Sequence, residues 1–106
     1  MPKYLLEVSY TAEGARGVMK DGGSKRREAA RAALQAVGGT IESFYYAFGD
    51  HDVLVIADMP DAASMAAASL ALSASGAVTG RTTVLITAEE IDAAAKKPVA
   101  YTPPGR

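Results

Sequence analysis

From Lys3 to Tyr10 the even positions Tyr4, Leu6, Val8 and Tyr10 are apolar, whereas Lys3, Glu7 and Ser9 are polar and Leu5 is the one break. A period of two predicts a strand with one buried face. Thr11 to Gly23 holds four glycines and several charges. It reads as a long connection with a short helical turn near Ala15 to Met19, and long connections are more often functional or mobile than structural. Ser24 is placed to cap a helix reaching about Val37, in which Ala30, Ala33, Leu34 and Val37 share a core-facing stripe at i, i+3, i+4 and i+7. Gly38-Gly39 ends it.

The segment Thr40 to Phe48 is β-branched and aromatic, and Gly49-Asp50-His51 turns it into Asp52 to Ala57, a hairpin whose Gly49 supplies the turn's backbone angles. Val53 to Ile56 is apolar on both faces, which places it in the middle of a sheet. Pro60-Asp61 breaks that strand and caps an alanine-rich helix ending near Gly76, and a last strand follows at about Thr82 to Ile86. Thr87-Ala88-Glu89-Glu90 has capping-box spacing and opens a short helix that Pro98 stops, with Lys96 and Lys97 in its last turn. The proline-rich tail is expected to be extended.

The order βαββαβ predicts an α+β, ferredoxin-like domain: a four-stranded antiparallel sheet, two helices on one face, and a short C-terminal helix. The domain is expected to span 1–98, followed by a tail over 99–106. The uncovered sheet face would carry part of Val53 to Ile56 and either the Phe44/Tyr46 or the Tyr45 side of the neighbouring strand. Such an apolar patch calls for a second copy of the chain, as a homodimer or a larger homo-oligomer.

Composition narrows the function. The 106 residues are 49% apolar without tryptophan, and alanine dominates the apolar set, so the core of an isolated monomer would be thin. A net charge of −1 offers no long-range attraction for phosphate backbones or anionic lipid, so neither nucleic acid nor membrane is expected as a partner. Without cysteine there is no disulfide and no thiolate metal site, which suits a cytoplasmic protein. Glu7 interrupts the N-terminal segment before a secretion signal could form, and Ala62 to Ala74 is shorter than the roughly 20 residues a membrane span needs. Gly14, Gly17, Gly22 and Gly23 match neither a phosphate loop nor a dinucleotide fingerprint, so no cofactor is expected.

Several pieces in one consistent order resemble the GYD family of bacterial domains. They are Ser24-Lys25-Arg26 before Ala29-Ala30-Arg31, Gly38-Gly39, Phe44-Tyr45, Gly49-Asp50-His51-Asp52, Pro60-Asp61, Leu70-Ala71-Leu72, Gly76-Ala77-Val78 and Arg81-Thr82-Thr83. The resemblance covers about Tyr4 to Ile86 and implies a ferredoxin-like domain related in architecture to dimeric α+β barrels; it implies no established activity. His51 stands where the family's G-x-Y-D signature has tyrosine, so no role of that phenol carries over.

The first two helix-linked strands should run in one direction, bringing polar groups to one end of the sheet. There the start of the first long helix, with Lys25 and Arg26, suits an anion; alternatively those cations solvate the helix end or pair with Asp50 and Asp52. Tyr10 and Arg81 approach the same end as ligand-binding candidates, with Tyr45 directed either to a pocket or to a partner. His51, the only histidine, is the default proton-transfer group, with Asp52 as its helper. Asp50-His51-Asp52 is a poor metal site, because consecutive residues do not converge and no second histidine exists. Three readings remain: a homo-oligomeric module binding a small anionic or aromatic molecule, a cofactor-independent oxygenase or isomerase using His51, and a purely structural assembly domain.

Overall fold

A computed structural model describes residues 1–106. Its elements are β1 (Lys3–Tyr10), α1 (Ala12–Asp21), α2 (Gly23–Gln35), β2 (Thr40–Tyr46), β3 (Val53–Asp58), α3 (Ala62–Ala74), β4 (Val78–Leu85) and α4 (Ala88–Ala95). The strands form one fully antiparallel sheet in the order β2-β3-β1-β4, the ferredoxin-like arrangement expected from the pattern.

Alternation along β1 sets the two faces. Tyr4 and Leu6 are buried and join Val53, Val55 and Ala57 of β3 against Leu34 of α2 and Met65 and Ala68 of α3. Met59, just past β3, is fully buried in the same cluster. Partners in register share a face, so Phe44 and Tyr46 lie on the helix side opposite Val55 and Val53, while Tyr45 lies opposite Leu54 on the other side. No element covers that second face, on which Tyr45 is 69% exposed. A bulge at Glu42, between Ile41 and Ser43, keeps β2 in phase with β3.

Four details differ from the sequence reading. The segment after β1 is a full helix, α1, rather than a connection with one turn: Thr11 caps it by accepting from the Gly14 amide. Helix α2 begins one residue before Ser24, with Gly22 at φ 84° as a cap that makes no side-chain bond; it ends at Gln35, and Ala33 is exposed. Strand β4 starts at Val78 instead of Thr82, because its backbone pairs with β1 all the way from Tyr10 to Lys3 regardless of side-chain pattern. Gly49 is not among the positive-φ glycines, so the hairpin turn does not depend on it.

The other boundaries follow the capping chemistry. Asp61 accepts from the Ser64 amide at 2.7 Å to open α3, and this bond holds its carboxyl below the usual carboxylate range. Thr87 and Glu90 form the expected capping box of α4. Gly38 and Gly76 adopt positive φ just after α2 and α3. At the far edge Lys3 bridges Glu42 and Asp58, bonds that raise its pKa. No helix is long and apolar enough to cross a membrane.

Candidate functional site

Strands β1 and β2 both run antiparallel to β3, so their C-terminal ends meet at one end of the sheet with the starts of β3 and β4. The chain is tied there by backbone bonds from Thr11 to Ala77 and from Asp52 to Val8. The Thr11 hydroxyl adds bonds to the carbonyls of Gly76 and Ala77. Helix α1 lies so close to this junction that a Cβ on Gly14 would fall 2.0 Å from the Ala77 carbonyl oxygen.

Between α1, the start of α2 and the β2–β3 turn lies a cleft of about 470 Å³. Its walls are Ala15 and Val18 of α1, Gly23 of α2, Tyr10, Tyr46, Ala47, Phe48 and Asp52. Phe48 stands fully exposed at the rim, an unusual position for a phenyl ring with no partner. The Tyr46 hydroxyl donates to the Gly23 carbonyl at 3.0 Å, and its ring packs edge-on against Phe44 at 5.4 Å. Gly23 leaves room for that ring, since a Cβ there would come within 3.0 Å of it. Tyr10 is pushed up to about 12, first by burial and then by the Tyr46 phenol beside it; the Arg26 guanidinium acts in the opposite sense. The Asp52 carboxylate accepts from the Tyr10 amide at 2.7 Å.

The hairpin turn separates the two residues expected to act together. Asp52 belongs to the cleft, whereas His51 stands with β1 positions that point to the open face. Its Nε2 lies 3.2 Å from Glu7 and its Nδ1 3.4 Å from the Ser9 hydroxyl. Arg81 sits across from Glu7 in the β1–β4 pairing, on this same side of the sheet. Tyr45 is also on the open face, away from the cleft. Lys25 and Arg26 are at the start of α2 as expected, but they approach Asp21 at 3.8 and 3.7 Å rather than Asp50 or Asp52. The expected convergence therefore resolves into two clusters on opposite sides of the sheet. One is the cleft with Tyr10 and Asp52, near Arg26. The other is the trio Glu7, Ser9 and His51, with Arg81 across from Glu7.

The sequence reading missed Tyr46, Phe48, Ala15 and Val18 as cleft residues. For Tyr46 the signal was present, because two adjacent tyrosines in a strand must take opposite faces. No group of three or more histidine, cysteine or acidic side chains converges to hold a metal ion.

A ferredoxin-like sheet with helices on one face, an apolar cleft at its end and a bare second face defines an α+β module of the kind the sequence suggested. The chain belongs to the GYD domain family, whose model matches residues 4–95. No curated protein and no solved structure matches it.

Proposed function

We propose that this GYD domain is a small-molecule binding module that works as a homo-oligomer, taking an aromatic, largely apolar molecule into the cleft beside Tyr10 and Tyr46. The observation that carries the reading is the cleft itself. At about 470 Å³ it falls within the roughly 300–1,000 Å³ typical of ligand pockets. Six of its eight lining residues are hydrophobic, with two phenols and one carboxylate as polar groups. The ring faces suit stacking, and the phenols supply orientation. An anionic ligand fits less well, because Asp52 lines the wall and the nearest cations already approach Asp21. Self-association is supported by Leu5, Leu54, Ile56 and Tyr45, which share the sheet face that no element covers.

The test is thermal shift and amide chemical-shift mapping with naphthalene, 2-naphthol and 2-naphthoate as probes. Stabilisation by 2-naphthol above 2-naphthoate, with shifts centred on Val18, Tyr46 and Phe48, and loss of both in Ala15→Trp, is the expected result. Absence of binding by all three probes at millimolar concentration contradicts it.

A second reading is a cofactor-independent enzyme with His51 as acid and base. It is favoured by the Glu7 and Ser9 contacts, which engage both ring nitrogens. Full turnover by His51→Ala on an identified substrate would eliminate it.

A further inference from the structure

Residues 87–106 form an arm that the rest of the chain does not support. Helix α4 has no buried residue and packs substantially against no other element. Every residue of the arm except Pro103 is exposed. Its hydrogen bonds stay within it, from the capping box to the turn that joins Arg106 to Pro103. Yet the arm is not uniformly polar: Ile91, Val99 and Tyr101 are 54%, 81% and 74% exposed.

Two magnitudes show that such an arm is incomplete alone. An isolated helix shorter than about 12–15 residues is marginal in water even for alanine-rich sequences, and α4 has 8. A capping box strengthens it by a fraction of what nucleation costs, so a docked partner is needed to hold the helix. The second magnitude is surface. A compact monomer of 10.9 kDa exposes about 5,600 Å², but the chain exposes 7265 Å², an excess of about 1,700 Å². Its radius of gyration is likewise 17.0 Å, against roughly 13 Å for a compact domain of this length.

An excess of about 1,700 Å² on each copy is the scale that an obligate homodimer buries, which runs from about 2,000 Å² upward in total. We propose that the arm 87–106 of each copy docks on a second copy of this chain, so that two arms are exchanged about a twofold axis. Symmetric exchange gives every arm the same seat and leaves none over. A formal charge of −1 per copy sets up no appreciable repulsion against it. The arm leaves the sheet from the end of the edge strand β4, which pairs only with β1. It can therefore cross to a neighbour without disturbing any strand pairing.

The inference rests on the self-association proposed above, and the two can fail separately. Sedimentation velocity is run on the full chain, on Ile91→Glu/Tyr101→Glu, and on Leu54→Glu. Hydrogen exchange of the wild type is followed in parallel at high and low concentration. The altered arm residues are exposed and lie outside the buried core, so the arm variant should keep the wild-type circular dichroism of the body. The expected result is a wild-type dimer or larger assembly whose dissociation constant rises at least tenfold in the arm variant, with α4 amides protected only at concentrations where the assembly persists. An assembly weakened by Leu54→Glu but unchanged by the arm variant, with α4 amides exchanging like a free peptide throughout, overturns arm exchange and leaves the sheet-face contact standing. A wild-type monomer at every concentration overturns both.

Discussion

Gly14→Ala and Gly17→Ala make the same chemical change three residues apart on α1, and the structure assigns them opposite signs. In an exposed helix, replacing glycine by alanine stabilises by roughly 0.4–1 kcal/mol, chiefly through the unfolded chain. At Gly17 no atom lies within 4 Å of the new methyl group, so that gain should appear intact. At Gly14 the methyl carbon would sit 2.0 Å from the Ala77 oxygen and 3.0 Å from both the Ala77 carbonyl carbon and the Tyr10 ring. Carbon–oxygen contacts settle near 3.3–3.6 Å, so α1 must retreat by on the order of 1 Å. The obstacle is backbone held by the Thr11 amide and hydroxyl, so no flexible side chain can yield instead.

Overpacking of this kind costs about 1–3 kcal/mol, and a strained Thr11 bond adds about 1 kcal/mol. Set against the propensity gain, the net loss at Gly14 is about 2 kcal/mol, which lowers the melting temperature of a domain this size by roughly 10 °C. Gly17→Ala should raise it by a few degrees. Urea unfolding followed by circular dichroism, with thermal melts of the same three proteins, reads both effects. A Gly14→Ala protein as stable as Gly17→Ala would refute the close approach of α1 to the start of β4, and with it the cleft wall formed by Ala15 and Val18.

Other outcomes follow from single groups. Tyr10 is held near a pKa of about 12; absorbance titration should show a late-ionising phenol that vanishes in Tyr10→Phe. Because the folded value is raised, the stability linked to this phenol is complete below pH 10 and is lost as pH rises toward 12. Met59→Ala removes a fully buried side chain and should cost about 2–5 kcal/mol in urea unfolding; a loss under about 1 kcal/mol would contradict its place in the core. Asp61 has its pKa lowered by the Ser64 amide, so the stability it contributes is present above the ordinary carboxylate pKa and disappears as pH falls through the lowered value. Asp61→Asn should therefore flatten the acid limb of a stability profile, and an unchanged limb would remove Asp61 from the account.

What the sequence made legible was whatever a local pattern could encode. The alternation of Tyr4, Leu6, Val8 and Tyr10, the apolar run Val53 to Ile56 and the caps at Asp61 and Thr87 each specify an element from nearby residues alone. Helix α1 was hidden because Gly14 and Gly17 read as breakers, whereas Gly14 answers to a carbonyl more than sixty residues away. The first half of β4 was hidden because Thr79-Gly80-Arg81 has no apolar rhythm; its partner's backbone orders it. The site divides along the same line. Tyr10 and the end of the sheet followed from topology, but the side on which His51 falls is set by the path of the turn, which no periodicity reports.

That path decides how a ligand would be held. Asp52 is tied by its amide to Val8, by its carbonyl to the Ala47 amide and by its carboxylate to the Tyr10 amide. Its hydrogen-bonding capacity goes largely into closing the end of the β1–β3 pair. The Tyr46 hydroxyl gives its proton to the Gly23 carbonyl, so toward the cleft it has only lone pairs to offer. Tyr10 keeps its proton until a pKa of about 12 and is a donor at any physiological pH. The polar end of the cleft thus presents one phenol that donates beside one that accepts, with a carboxylate already engaged. A flat molecule carrying a neutral hydroxyl or carbonyl at one edge would suit both phenols and add no charge beside the Asp52 carboxylate. An acid of the same shape would place a second negative charge near Asp52 and bind more weakly by that repulsion.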